Sequence, residues 1–217
     1  MHPNPEFADN PDPRCACVLL LDTSGSMSGA PINALNQGLL TFEKDLQTDA
    51  LASRRVEIAI FSFGGSVQKV QDFVSAGNFK APTLTASGGT PMGEGIIQAV
   101  NAVNLRKQEY KHNGVLYYQP WVFMITDGAP TDQWQHAASI VQKHVSDRKL
   151  SFFAVAVNNA DEAVLKQITN RVSKLDGLRF NELFTWLSKS QQSVSASRPG
   201  QQTPLPPASG GFLAPVG

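Results

Sequence analysis

Residues 15–26 read CACVLLLDTSGS, seven apolar positions followed without transition by five polar or small ones. A continuous apolar run that stops abruptly is how a strand covered on both faces reads. The run therefore predicts a central strand over 15–21. Its end at Asp22 places one carboxylate and three hydroxyls, on Thr23, Ser24 and Ser26, in the loop that leaves the strand.

Downstream, Pro31 suits a first helical position, and Ile32, Leu35, Leu39, Phe42 and Leu46 recur at helical spacing to about Asp49. Residues 56–63 (VEIAIFSF) are rich in β-formers. Gly64 and Gly65 then mark a tight turn into a second strand-like run over 67–74, a hairpin whose second arm would lie antiparallel at a sheet edge. Gly88, Gly89, Thr90 and Pro91 break the chain before a helix carrying Ile96, Val100 and Val103 on one face.

Residues 121–125 (WVFMI) read as a second buried strand, closed by Asp127 and Gly128. Thr131 or Asp132 is positioned to cap the following helix, whose apolar stripe is Trp134, Ala138, Val141 and Val145. Residues 152–157 (FFAVAV) are a third buried strand, a short helix follows near 161–168, and Leu183, Phe184, Leu187 and Val194 mark a last helix over 180–194. Strands alternating with helices predict an α/β fold: a Rossmann-like, doubly wound, mostly parallel sheet with one antiparallel edge strand and helices on both faces. The expected organisation is a flexible segment over 1–13, one domain over 14–195, and a flexible tail over 196–217, where Ser, Pro, Gln and Gly dominate.

Composition narrows the function classes. A chain of 217 residues can bury a substantial core without staples. Its 18 basic and 18 acidic residues give no global field for nucleic acid or an anionic membrane. Cys15 and Cys17 would share one sheet face as small buried residues, and His2, His112, His136 and His144 make no ligand cluster with them, which disfavours structural zinc. The polar, Pro-rich first fourteen residues lack a secretion-signal pattern, and no run approaches the ~20 apolar residues of a membrane span. A cytoplasmic location is the expectation.

Three polar clusters interrupt the apolar scaffold: 22–26 after the first strand, Gly89-Thr90 before a helix, and 126–128 after another strand. In open parallel sheets ligands bind beyond the carboxyl ends of the strands, which is where these loops would meet. Asp22, Ser24, Ser26, Thr90 and Asp127 could then converge as five hard oxygen donors, a set that suits Mg2+ or Mn2+. With only two carboxylates, a bound cation would stay electrophilic toward one more ligand, an Asp or Glu carboxylate from a partner protein.

These residues resemble the metal-ion-dependent adhesion site of von Willebrand factor A domains and integrin inserted domains, D-x-S-x-S with a downstream Thr and Asp. Here the pattern is complete, in Asp22-Thr23-Ser24-Gly25-Ser26, Thr90 and Asp127, and the resemblance covers residues 14 to 195. The phrases LLLDTSGSMSGAPI, GGTPMGEGI, ITDGAPTDQW and LFTWLSKSQQSVSAS are more narrowly similar to the bacterial tellurium-resistance-associated A-domain proteins. That resemblance implies a stress-response scaffold or regulator with phosphatase- or kinase-like partners. The Cys-rich ribbon some of those proteins carry is not in this sequence. An alternative is a non-catalytic subunit of a chelatase-like or AAA-ATPase assembly.

An enzyme is not expected. An aspartyl phosphotransferase needs a second carboxylate two residues after its nucleophile, and that position is Ser24. No serine sits in a nucleophile elbow, and GGTPMGEG lacks the lysine of a phosphate-binding loop. Trp121, Trp134 and Trp186 read as packing residues, and His136 and His144 as solvent-facing. Met27 and Ser28 at the loop tip are the candidate partner contacts.

Overall fold

The computed structural model describes Phe7 and residues 10–216, so the expectation for residues 1–13 falls largely outside the described residues. The apolar run forms β1 (Cys15–Asp22), buried along its whole length. A short 3-10 turn, Gly25–Met27, leads into α1 (Ala30–Thr48) and the single turn α2 (Ala52–Arg55). The hairpin is β2 (Val56–Gly64) and β3 (Ser66–Ser75), and α3 (Met92–His112) follows. The remainder is β4 (Trp121–Thr126), α4 (Gln135–Ser146), β5 (Ser151–Ala156), α5 (Glu162–Ile168), β6 (Val172–Leu175), α6 (Phe180–Ala196) and β7 (Leu213–Pro215).

The seven strands form one sheet in the order β3-β2-β1-β4-β5-β6-β7. β1 is central and parallel to both neighbours, from Cys15 opposite Val56 to Asp22 opposite Phe63 on one side, and from Cys17 opposite Trp121 on the other. β4, β5 and β6 continue the parallel ladder, and β3 is the expected antiparallel edge.

Alternation along β1 divides the core. Cys15, Cys17, Leu19 and Leu21 face α1 and α6, meeting Leu35, Leu39, Phe42, Phe180, Leu183 and Phe184. Val18 and Leu20 face the other layer, built from Ile96, Val100 and Val103 of α3, Val141 of α4 and Leu165 of α5. Both cysteines are buried and unpaired. At the base of the sheet a fully buried Glu57 is held by Arg14 Nε at 3.1 Å, by Arg106 Nε at 2.7 Å and by the Tyr110 hydroxyl. Salt-bridged on two sides and hydrogen-bonded on a third, this carboxylate meets the condition for burying charge.

Three expectations are revised. The segment 196–217 was expected to be flexible on composition, yet its end returns as β7, antiparallel to β6 from Ser173–Pro215 to Leu175–Leu213, so a second antiparallel strand closes the opposite edge. Phe212 is buried there, and Trp186 Nε1 donates to Pro206 O at 2.8 Å. Few apolar residues suffice because a preformed sheet edge supplies the hydrogen-bond partners. His144 is half-buried rather than solvent-facing, with Nδ1 2.8 Å from Ile140 O and Nε2 3.1 Å from Asn104 Nδ2. Met27 is fully buried in the α1–α6 layer and cannot reach a partner, whereas Ser28 beside it is exposed.

Candidate metal centre

Parallel strands that start at one pole end at the other, so the loops after β1 and β4 emerge side by side. Their approach is enforced by backbone. Thr23 N donates to Phe63 O at 3.0 Å, Ser87 N to Thr23 O at 2.8 Å, Gly25 N to Gly88 O at 2.9 Å and Gly65 N to Gly89 O at 2.8 Å. The loop before α3 is thereby stitched to those after β1 and β2. Gly88 has φ +73°, and a Cβ there would lie 2.5 Å from Gly65 Cα, so two chains pass closer than side chains permit.

Asp22 is fully buried and its two oxygens are committed differently. Oδ1 accepts from Ser24 N at 2.8 Å, which folds the loop back, and Oδ2 accepts from the Thr126 hydroxyl at 2.6 Å. Ser24 Oγ lies 3.0 Å from Ser26 Oγ, and Ser26 Oγ donates to Asp127 Oδ1 at 2.6 Å. Burial pushes the Asp22 carboxyl above its usual range. The hydrogen bonds from Ser24 and Thr126 pull it back in part, and the neighbouring Asp127 charge adds to the rise.

Thr90 closes the ring from the α3 side. A Cβ on Gly128 would lie 3.3 Å from Thr90 Oγ1, 3.7 Å from Ser26 Oγ and 3.9 Å from Asp22 Oδ2. Three oxygens from two loops thus surround one point above a residue of the third loop that has no side chain. All five residues named from the sequence are brought together; Asp22, Ser24, Thr90 and Asp127 are buried and Ser26 is exposed.

Thr131 and Asp132, expected to cap their own helix, cap α3 instead. Thr131 Oγ1 accepts from Thr90 N at 3.0 Å, and the Asp132 carboxylate accepts from Gly93 N at 3.0 Å and Glu94 N at 2.9 Å. The loop after β4 therefore fixes Thr90 as well as supplying Asp127. Thr126 is the other supporting residue not singled out by sequence reasoning. Its signal was its place, the last strand residue before Asp127.

Among the described residues no three His, Cys, Asp or Glu side chains form a metal cluster, so the site's chemistry rests on hydroxyls as much as on carboxylates. No helix of the described chain is long and apolar enough to cross a membrane.

No curated protein sequence gives a significant match to the chain. Solved structures share its fold. The pilus adhesin SpaC of Lactobacillus rhamnosus GG in its open conformation is 17% identical with TM-score 0.68, over 83% of this chain and 30% of that one. Manganese-loaded TRAP protein of Plasmodium vivax is 17% identical with TM-score 0.56, over 79% and 73%. Proximal thread matrix protein 1 of the mussel byssus, with a zinc-occupied metal-ion-dependent adhesion motif, is 17% identical with TM-score 0.54, over 82% and 47%. The chain thus spans less than half the length of the adhesin and of the byssus protein. A family model, that of the von Willebrand factor type A domain, matches residues 17–182, and with the parallel sheet and its clustered loops in place the chain belongs to that family.

Proposed function

We propose that this domain is a non-enzymatic, metal-dependent protein interaction module whose cation is held by Asp22, Ser24, Ser26, Thr90 and Asp127. The observation that carries the reading is the convergence of Thr90, Ser26 and Asp22 oxygens on one point over Gly128. The donor set fits the group: five oxygen-bearing side chains, without sulfur or imidazole, suit Mg2+ or Mn2+. The manganese-loaded Plasmodium protein and the zinc-occupied byssus motif support a divalent cation in this fold.

When bound, the cation supplies an electrophilic position for a partner's Asp or Glu carboxylate. The chain's own residues do the rest. Thr126 and Ser24 hold the Asp22 carboxylate in one orientation, Thr131 and Asp132 fix the start of α3 and with it Thr90, and the buried setting strengthens every charge interaction at the loops. The similarity of the phrases around these loops to tellurium-resistance-associated proteins supports a stress-response scaffold with phosphatase- or kinase-like partners.

The test is calorimetric titration of the chelator-treated protein with Mg2+ and Mn2+, beside Asp22→Ala and Thr90→Ala, followed by partner capture with and without chelator. Binding by the wild type, its loss in folded variants and chelator-sensitive capture are expected. Equal cation binding by wild type and both variants would overturn the assignment, and capture of the same partner in chelator would overturn the metal-dependent mechanism.

A further inference from the structure

We propose that the groove at the base of the sheet, at the opposite pole from the metal centre, is a second binding site that takes an extended acidic peptide segment of a partner protein. The groove encloses about 1310 Å3 between the second half of α3, the starts of β4 and β5, and residues 200–205 of the returning tail. Trp121 and Ser151, the first residues of β4 and β5, lie in its wall, whereas the metal centre lies beyond Thr126 at the far end of β4. Five residue steps of about 3.3 Å separate the poles by roughly 17 Å.

Charge is the first argument. Lys107, Lys111, Arg148, Lys149 and Arg171 line the groove together with His144, and no Asp or Glu does. The whole chain is balanced at 18 against 18, so this is local segregation, not a basic protein showing its average surface. Among the described residues only Lys149 of the five forms an ion pair, with Asp147 at 2.9 Å. Burial, and then the like charges of Lys111 and Lys149, hold the Lys107 ammonium below its usual range. Five cations assembled at mutual cost, with a carboxylate partner for Lys149 alone, mark a place where an anion lowers the energy.

The bland account is that basic residues at helix ends offset the helix dipole. It covers Lys111 and His144, which lie in the last turns of α3 and α4, and stacking on the Phe153 ring at 5.0 Å holds Arg171, but neither accounts for Lys107 and Arg148.

Shape and chemistry select the occupant. The groove is concave, unlike a membrane-facing surface. Of its aromatic residues, Trp121 and Phe153 are buried against each other at 4.7 Å, Tyr118 is buried, and half-buried Tyr117 packs on Tyr110 at 5.5 Å, so there is no row of open rings on which successive bases would stack, as single-stranded nucleic acid requires. Asn104, Gln108 and Gln119 alternate donors and acceptors among the cations, as a peptide backbone requires, and Thr203 Oγ1 in the same wall is buried without a hydrogen bond. Acidic side chains on lysine and arginine, with main-chain amides on asparagine and glutamine, satisfy both sets.

The experiment uses the full chain and fluorescence anisotropy with a labelled ten-residue glutamate peptide, a glutamine peptide of equal length and a thymidine oligonucleotide. The glutamate peptide is expected to bind at least about tenfold tighter than the other two and to weaken as salt rises. A Lys107→Gln, Arg148→Gln, Arg171→Gln triple variant is expected to lose about tenfold or more, whereas Lys69→Gln with Lys80→Gln, far from the groove in sequence, changes nothing. Chelator and Asp22→Ala are expected to leave this binding intact, which separates it from the metal centre. If the triple variant does not fold by circular dichroism, Lys107→Gln and Arg148→Gln carry the same comparison singly. Equal binding of glutamate and glutamine peptides, preference for the oligonucleotide, or unchanged affinity in the folded groove variants would overturn the proposal.

Discussion

Gly128 shows how much one absent methyl can matter. The point its Cβ would occupy is where oxygens of Thr90, Ser26 and Asp22 face one another, and the 3.3 Å approach to Thr90 Oγ1 is tight. Gly128→Ala is therefore expected to lower cation affinity by roughly tenfold or more, in the range seen for groups that support metal ligands. Its melting temperature in chelator should stay close to wild type; calorimetry beside thermal melts checks both. The two cysteines make the opposite case, of residues whose surroundings suppress their chemistry. Burial, and secondarily the Glu57 charge, push the Cys15 thiol up to about 12, and burial raises Cys17 well above its usual range. An acid whose folded-state pKa is raised keeps its proton where the unfolded chain has lost it, so stability is full below pH 9 and falls as pH rises from 9 toward 12. Urea unfolding at pH 8 and pH 10.5 should show a steeper loss for wild type than for Cys15→Ala; equal slopes would remove the thiol from the account.

The helix α3 illustrates what sequence can and cannot announce. Its apolar face was legible because Ile96, Val100 and Val103 repeat at helical spacing and bury together. Its cap was not. Residues 131–132 precede α4 and have the composition of a cap for it, but the Asp132 carboxylate reaches back to Gly93 and Glu94. That preference is set by which loop ends lie side by side, a tertiary fact. Asp132→Ala is expected to cost about 0.5–2 kcal/mol, the usual range for a lost helix cap, and to weaken cation binding through Thr90. Chemical denaturation and titration of one preparation would detect both losses, and a stability loss with unchanged affinity would show that Thr90 does not need the cap. Strand β6 escaped notice for a related reason. Only Val172 and Leu175 of its four residues are buried, too short a pattern to separate from a turn. The convergence of the five candidate residues was legible because each stands where an apolar run breaks off or a Gly-rich turn begins, and those breaks survive in the sequence without any knowledge of packing.

At the scale of the molecule, the parallel sheet has no parallel edge exposed. β3 covers one side and β7 the other, each antiparallel to its neighbour. Composition argued for a flexible tail because Ser, Pro, Gln and Gly cannot build a core alone. It could not reveal that the tail borrows a core, with Leu205, Ala208 and Leu213 packed on the α1–α6 layer and Phe212 buried within it. Truncation after residue 196 is expected to lower Tm by several degrees, at about 2–4 °C per kcal/mol for a domain of this size. It should also promote self-association through the uncovered β6 edge. Thermal melts and light scattering of the truncated chain test this, and an unchanged Tm would favour the flexible tail that composition suggests.

The placement of β1 has a mechanical consequence. It runs unbroken from Cys15 at the base to Asp22 in the proposed cation site, and parallel neighbours bond it on both sides. A pull between the entering chain and a partner held at the metal would load this strand along its axis. Its ladder bonds, lying across that axis, would share the tension and yield together. Tension applied between the chain's two ends would instead meet β7 first, three residues paired along one side only, which can peel away one bond at a time. Under the metal-dependent grip proposed above, the fold would transmit force through that grip and give way at its hem.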